Sequence, residues 1–458
     1  MKGNKNHSVA ILGSGESGMG ALRLAVKHGL KAFLSDSKTI PVHKQRLIES
    51  MGASCEEGVH TLDKLLKYDE IIKSPGIPDT ATVIVELKKA GKTIISEIEF
   101  ASRYTDAKII GITGSNGKTT TTLLTTHILK EAGLNVASAG NVGNSFSDLL
   151  IDDTPEVIVL ELSSFQLDGV IDFKPDIAVI LNITPDHLDR YDHDMELYAD
   201  AKWRLVQNMK KGSHFIFNAD DEMITKRVDR NDLPFDKIQI TTRSKTSNGA
   251  YFLEGYLIFD CEKLIQIVPI EDLPLLGRHN QYNQMAAILS AIQLDVAFGD
   301  IMRGLSTFQN APHRMELVGY VQDIPYINDS KATNVDAVYY ALDAMTKPVV
   351  WIAGGVNKGN DYAQIKALVK NKVNTLICLG NDNKHLIDEF KNDVTILIEV
   401  KSAEEAVTRA NELAQPGEVV LLSPACASFD LFNSYEHRGD AYREEVLKLK
   451  KNKEVIKA

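Results

Sequence analysis

The chain has 458 residues, 44% of them hydrophobic and 25% charged, with a formal net charge of −11 at pH 7. That length exceeds what one core supports at ~100–200 residues per domain, so three domains are expected. The acidic balance argues against a general nucleic-acid or anionic-membrane surface, since neither gains counterion-release energy from such a field, and anionic ligands then need local basic clusters. Cys55, Cys261, Cys378 and Cys426 have neither metal-ligand nor disulfide spacing, and no apolar run approaches the ~18 residues of a membrane span. A cytosolic protein without a signal peptide is expected.

Ser8–Leu12 reads as a buried strand, and Gly13-Ser-Gly15-Glu-Ser-Gly18 leads from it into a helical pattern. This fits G-x-G-x-x-G in its strand-to-helix setting, and the next strand, Ala32 to Leu34, ends at Asp36, where a ribose-binding acid belongs. On this segment alone an NAD-dependent oxidoreductase is the simpler reading. A further loop, Lys73-Ser74-Pro75-Gly76-Ile77-Pro78, follows the strand Glu70 to Ile72; it is either a rigid turn or, at a strand end, part of a ligand crevice.

The next stretch carries the strongest chemistry. Gly111-Ile-Thr-Gly114-Ser-Asn116-Gly117-Lys118-Thr119-Thr120 follows the strand Lys108 to Ile110 and precedes a helix-forming segment, Leu123 to Glu131. Glycines let the backbone turn its N–H groups inward and the helix start adds partial positive charge, which suits a polyphosphate. Lys118 would reach the outer phosphates and Thr119 would offer its hydroxyl to Mg²⁺. Five residues separate Gly111 from Gly117 where the usual phosphate loop has four. A dehydrogenase has no use for this second loop, so it counts against the oxidoreductase.

Further on, Ala139-Gly-Asn141-Val-Gly143 is another small-residue loop. The strand Val157 to Leu160 ends at Glu161, followed by Ser163 and Gln166; the strand Ile177 to Leu181 runs into Asp186-His187-Leu-Asp189. Two parallel strands delivering hard ligands beside a phosphate loop suggest Mg²⁺ held by Thr119, Glu161 and His187, with a capping or core histidine as the alternative for His187. Lys202 lies on a helical stretch, Met195 to Met209, where a lone lysine reads as a solvated face. Between about 212 and 272, alternating segments at Tyr251 to Glu254 and Leu257 to Asp260 suggest a small hairpin layer. Asn280 and Asn283 stand on one face of the helix that follows Leu276-Gly-Arg-His279, either capping it or reading an adenine edge.

From about 309 the pattern of strand, polar loop and helix recurs, which predicts a parallel sheet with a binding edge. Ile324 to Ile327 runs into Asn328-Asp329-Ser330-Lys331-Ala332-Thr333-Asn334, Val349 to Ala353 into Gly354-Gly355-Val-Asn357-Lys358, and Val419 to Leu422 into Ser423-Pro-Ala-Cys426-Ala-Ser428-Phe429-Asp430. Arg314, Lys331 and Lys358 put cations there; singly each reads as an exposed charge, together they suggest an anionic ligand.

Taken in order, the glycine fingerprint, the phosphate loop, Glu161-Leu-Ser-Ser-Phe-Gln166, Pro185-Asp-His187, Gly277-x-His-Asn280-x-x-Asn283, His313-Arg314 and Asn328 to Asn334 strongly resemble the Mur ligases. These are ATP-dependent amide-bond-forming enzymes of peptidoglycan precursor synthesis, and the irregular loop spacing is normal among them. The Asn328 to Asn334 and Ser423 to Asp430 stretches are similar to the branch that adds D-glutamate to UDP-N-acetylmuramoyl-L-alanine. The resemblance implies an α/β chain of three domains: a Rossmann-like sheet for the UDP-substrate (1–100), a central P-loop ATPase-type domain (101–308) and a C-terminal Rossmann-like domain for the amino acid (309–458). It also implies roles. Gly15, Ser17, Asp36, Ser74 and Gly76, with Asn141, Ser163 and Gln166, would hold the UDP-substrate. Gly114, Asn116, Gly117, Lys118, Thr119, Thr120, Asn280, Asn283, Arg314 and Asp329 would hold ATP, and Thr333, Lys358, Ser428 and Phe429, beside Lys331, D-glutamate. Lys118, His187, Lys202 and Lys331 would be catalytic. Lys202 matches a family lysine carbamylated by CO₂, whose new carboxylate helps ligate a second Mg²⁺; this replaces the solvated-face reading. Asn357 stands where the branch often has an acid, so a charged contact there becomes a neutral hydrogen bond. A cytoplasmic monomer that closes about joints near residues 97 to 105 and 305 to 315 is expected.

Overall fold

In the computed structural model, residues 7–457 are described apart from 153, 231, 262, 263, 276 and 358, with the backbone alone for 452–457. The first sheet comprises β1 (Ser8–Leu12), β2 (Lys31–Asp36), β3 (Ser54–Glu57), β4 (Glu70–Lys73) and β5 (Thr93–Ser96). All pairs are parallel and the order is β3-β2-β1-β4-β5. Val9 to Leu12 are fully buried, as expected of a strand covered on both faces, which is why it reads as an unbroken apolar run. The strand order reverses between β1 and β4, so the loops after them, Gly13–Gly18 and Ser74–Pro78, open on the crevice where such sheets bind ligands. Gly18 is obligatory there: a Cβ would stand 1.9 Å from the Gly13 carbonyl oxygen. Only a hydrogen lets the helix Glu16–Lys27 lie this close to the turn.

The second sheet comprises β6 (Lys108–Thr113), β7 (Val136–Gly140), β8 (Val157–Glu161), β9 (Ile177–Ile180), β10 (His214–Asn218), β11 (Asp236–Thr241), β12 (Gly249–Leu253), β13 (Tyr256–Cys261) and β14 (Leu264–Pro269). Its order is β14-β13-β12-β11-β10-β9-β6-β8-β7, parallel from β7 to β12 and antiparallel at the β12–β13 and β13–β14 pairs. The segment expected to form a small hairpin layer does pair antiparallel, as β12 and β13, and it does so as an extension of this sheet. β6 is flanked by β8 and β9, so the glycine loop, Glu161 and the segment leading to His187 leave three adjacent strands at the same edge.

The third sheet comprises β15 (Glu316–Val321), β16 (Ile324–Asn328), β17 (Val349–Gly354), β18 (Val373–Leu379), β19 (Ile396–Val400) and β20 (Val419–Ala425). Its order is β15-β16-β20-β17-β18-β19, with only β15 antiparallel. The three polar loops singled out in the sequence follow β16, β20 and β17, three neighbours. Two helices differ from expectation. One begins at Lys118 rather than near Leu123 (Lys118–Glu131), and one stops at Trp203 (Met195–Trp203) instead of reaching Met209. No helix among the described residues is long and apolar enough to cross a membrane.

The chain divides into two compact units, residues 1–274 with 282–308, and residues 275–281 with 309–458. The first unit contains the first two sheets, and their connection is not built as a hinge. In the helix Glu97–Ser102, both acids are buried. Glu99 Oε2 accepts the amides of Ile171, Asp172 and Phe173 at 2.9, 3.0 and 2.8 Å, and Arg103 joins it to Glu70. Glu97 accepts the Ser147 amide. Bending here would strand four backbone donors from their carboxylates, so the expected joint at 97–105 is corrected to a weld.

Burial without a cation pushes the Glu97 carboxyl up from 4.5 to about 7, against the pull of its Ser147 hydrogen bond. Between those values the folded chain keeps a proton that the unfolded chain gives up, so this group's contribution is complete at low pH and is lost as pH rises through 7. The loss is on the order of 3 kcal/mol. Urea unfolding at pH 5 and pH 8 should show a steeper fall for the wild type than for Glu97→Gln, which keeps an acceptor but cannot ionise; identical pH dependence would show that Glu97 is not protonated.

Candidate active site

The glycine loop is rigidly tied to the end of β9. Asn182 receives the Asn116 amide on its side-chain oxygen at 2.8 Å and returns a bond to the Asn116 carbonyl at 3.1 Å; its own carbonyl takes the Ser115 amide at 3.0 Å. Ser115 Oγ donates to the Thr184 carbonyl at 2.8 Å. With those amides used, the donors open to an anion are those of the first turn of the helix from Lys118, the end at which a helix favours negative charge. Gly117 caps it at φ +86°, and a Cβ there would meet Asn283 Oδ1 at 2.4 Å. Asn283 Oδ1 also accepts the Thr121 hydroxyl at 3.2 Å, so this amide packs beneath the loop rather than capping its own helix, Arg278–Ile292. Asn280 and Asn283 are both buried, as are Thr119 and Thr120.

Two lysines converge on one carbonyl. Lys118 Nζ donates to Gly114 O and Ser115 O, each at 2.7 Å, and Lys202 Nζ donates to the same Gly114 O at 2.9 Å. Lys202 is 1% exposed, lying 4.5 Å over the Tyr198 ring. The solvated-face reading of the bare sequence is therefore wrong for it. Burial, with the Lys118 charge, drives its amine well below the usual lysine range, and Asp186 and Asp168 only partly oppose this.

Glu161 is buried at the end of β8. Asn141 Nδ2 donates to its Oε1 at 2.8 Å, while Oε2 is buried with no hydrogen-bond partner among the described residues. A buried carboxyl oxygen left in that state suits a cation. His187 is exposed in the left-handed region at φ +51°, heading the short turn Leu188–Arg190, with Asp186 at 3.7 Å. No three His, Cys, Asp or Glu side chains converge on a metal position among the described residues. Mg²⁺ fits this edge only with oxygen ligands beyond the protein acids: the Thr119 hydroxyl, phosphate, water or a carbamate. Ser163 and Gln166 form a reciprocal cap on the short helix Ser164–Leu167.

In the first sheet a cavity of about 770 Å³ is lined by Gly15, Asp36, Ser74 and Gly76 among others; Ser17 lies in the adjoining helix turn. Asp36 is committed to the protein. Its Oδ2 takes the Ser14 amide and hydroxyl, each at 2.7 Å, and its Oδ1 takes the Lys38 amide at 2.8 Å. Burial would raise this carboxyl, yet those bonds win and lower it. Ser74 Oγ is buried and without a hydrogen-bond partner among the described residues. Arg190 reaches the Pro75 carbonyl at 3.3 Å, joining the loop after β9 to this one.

In the third sheet, Asp329 accepts the Met315 amide at 3.2 Å and the Ser423 hydroxyl at 3.0 Å. Burial lifts its carboxyl to about 7, more than those bonds and Arg314 lower it. Lys331 Nζ lies 3.7 Å over the Tyr435 ring, and the Thr333 amide bonds the Lys331 carbonyl. Ser428 is buried, whereas the Phe429 ring is 71% exposed. Lys358 lies outside the described residues. Asn357 Oδ1 takes the Gly359 and Asn360 amides, closing a turn at the position where the branch often has an acid.

Arg438 was missed from sequence. It is 1% exposed and makes no ion pair with a carboxylate among the described residues, bonding instead Ser330 Oγ and O, Gly354 O and Cys426 O. Burial pulls it down to about 10. It clamps all three polar loops from the helix Tyr435–Lys457; its separation in sequence hid it.

Three family descriptions match: the Mur ligase MurD-like N-terminal domain over 7–96, the Mur ligase middle domain over 112–291, and the Mur ligase glutamate ligase domain over 313–426. The UDP-N-acetylmuramoylalanine--D-glutamate ligase of Christiangramia forsetii is 44% identical, across 96% of this chain and 99% of its own. That of Bacteroides fragilis is 46% identical with the same coverage. Among solved structures, a pseudomurein peptide ligase type C from Methanothermus fervidus has the same fold, with a TM-score of 0.62 at 22% identity over 97% of this chain and 100% of that one. With near full-length identity at this level, the chain belongs to the Mur ligase family.

Proposed function

We propose that this chain is an ATP-dependent ligase that joins D-glutamate to UDP-N-acetylmuramoyl-L-alanine, giving ADP and phosphate, in peptidoglycan precursor synthesis. The observation that carries the reading is the pair of lysines on the Gly114 carbonyl at the head of the helix from Lys118, beside a buried carboxyl oxygen with no hydrogen-bond partner among the described residues. The names of the 44% and 46% identical relatives support the choice of substrates.

A carboxylate and an amine do not condense spontaneously in water, so the carboxylate must first acquire a leaving group. One oxygen of the L-alanyl carboxylate attacks the γ-phosphorus; the bond to the bridging oxygen breaks and ADP departs with that electron pair. The D-glutamate amine then adds to the acyl-phosphate carbonyl, loses a proton, and phosphate leaves with the C–O pair. Such phosphoryl transfer needs positioning and charge neutralisation more than covalent help. Lys118 would swing from the loop carbonyls onto the outer phosphates. Asn280, Asn283, Arg314 and Asp329 would fix the rest of the nucleotide. Thr119, Glu161 and His187 would hold Mg²⁺, two ions in all, which when bound supply positive charge at the phosphates. Ser74, with the turn at Gly15, would receive the UDP moiety, and Lys331, Thr333, Lys358, Ser428 and the Phe429 backbone would surround D-glutamate.

Lys202 is suited to carbamylation for a stated reason. Only a neutral amine attacks CO₂, and burial beside Lys118 favours that form. The N–C bond forms, the nitrogen loses a proton, and the neutral amine becomes a carboxylate able to ligate the second ion and offset Lys118.

Lys118→Ala should lower kcat/KM by roughly 10²-fold or more, the scale of a lost electrostatic contact to the transferring group; near-normal turnover would remove the loop assignment. Lys202→Ala should lose most activity and regain part of it with added short carboxylic acids, while full activity without rescue would make it a structural lysine. In a phosphate-release assay offering L-alanine, a diamino acid and D-glutamate in turn, only D-glutamate should support turnover; response to another would reassign the substrate within the family.

A further inference from the structure

The cavity of the first sheet contains a histidine that the reaction scheme leaves unused. His60 lines it, beyond β3 on the loop before Leu62. His60 Nδ1 lies 2.7 Å from Ser35 Oγ, and Ser35 Oγ lies 2.8 Å from Glu56 Oε1. The serine has one proton to give. Glu56 also takes the Thr61 amide and the Lys64 ammonium at 2.8 and 2.9 Å, and these bonds with that of Ser35 outweigh burial and bring its carboxyl down to about 2, so it is an ionised acceptor. A bond to a charged acceptor is the stronger, so the Ser35 proton goes to Glu56 and its lone pair accepts Nδ1–H from His60. Burial, against the pull of Asp36 and Glu56, lowers the imidazole below its usual range and keeps it neutral. The ring is thereby fixed with Nδ1 protonated and Nε2 bare.

Position says what meets that lone pair. Neighbouring strands are ~4.8 Å apart, and β3 is two strands from β1, so His60 stands roughly 10 Å across the edge from the Gly13–Gly18 turn. With the diphosphate on that turn and the helix after it, the far end of the cavity falls to the nucleobase. Asp36, one strand nearer, already takes three donors, two from Ser14 on Oδ2 and one from Lys38 on Oδ1, which leaves about one acceptor position on Oδ1.

We propose that His60 reads the nucleobase of the UDP-substrate, its Nε2 accepting the imide N3–H of uracil and so excluding cytosine, whose N3 carries a lone pair. The inference rests on the uridine reading of this cavity and adds to it the residue that selects the base.

Binding of UDP, CDP and N3-methyl-UDP to the full chain by calorimetry tests it. The wild type should bind UDP at least tenfold more tightly than the other two, the scale of one neutral hydrogen bond set against an opposed lone pair. His60→Asn, which can still donate to Ser35 but lacks the Nε2 acceptor, should bind UDP at the CDP level with CDP binding unchanged. Ser35→Ala, which frees the ring to change tautomer, should give an intermediate ratio. A UDP-to-CDP ratio unchanged in either variant overturns the role, as does equal loss of both nucleotides, which marks a structural residue. A wild type that binds neither UDP nor CDP overturns the uridine reading itself.

Discussion

Two amines sharing the carbonyl of Gly114 are the constraint from which the chemistry of this protein follows. Lys118 and Lys202 would repel each other as ammonium ions, and the loop eases this by burying Lys202, which lowers its amine well below the usual lysine range, and by placing a carbonyl dipole between them. The arrangement is stable enough to fold yet is short of negative charge. A polyphosphate at the head of the adjoining helix would supply it from outside, and a carbamate on Lys202 would supply it from within. Preorganised positive charge of this kind costs no reorganisation when the transferring group develops its own charge.

The surrounding structure serves to keep that loop still and its neighbours in register. Asn182 and Thr184, leaving β9, hold the loop from one side, and Asn283 and Thr121 pack under Gly117. Glu97 and Glu99 weld the first sheet to the second by taking backbone amides in the interior, where a lost acceptor is expensive. In the third sheet Arg438 performs the corresponding task with neutral acceptors, drawing together the ends of β16, β17 and β20.

Much of this was legible in the chain because the ligand-facing loops leave parallel strands, and such strands read as apolar runs ending in glycine or polar residues. Gly13–Gly18, the Lys118 loop, Glu161 and the Asn328–Asn334 stretch were all found in that way. What stayed hidden depends on contacts distant in sequence. Four consecutive threonines, β-branched and poor helix formers, masked a helix that starts at Lys118 because tertiary packing buries them. The same kind of packing buried Lys202, which helical spacing alone assigns to solvent. Asp36 sits where a ribose-binding acid belongs, yet its oxygens already take donors from Ser14 and Lys38. His60 and Arg438 belong to no motif; each acquires a role only when the fold brings Ser35 and Glu56, or three loop ends, against it.

The account turns on a carboxyl oxygen passing to phosphorus at the Lys118 loop. The most direct measurement labels both oxygens of the L-alanyl carboxylate of UDP-N-acetylmuramoyl-L-alanine with oxygen-18 and analyses the phosphate released on ligation to D-glutamate. The account predicts that each released phosphate carries a single labelled oxygen; amide product formed with unlabelled phosphate would contradict it.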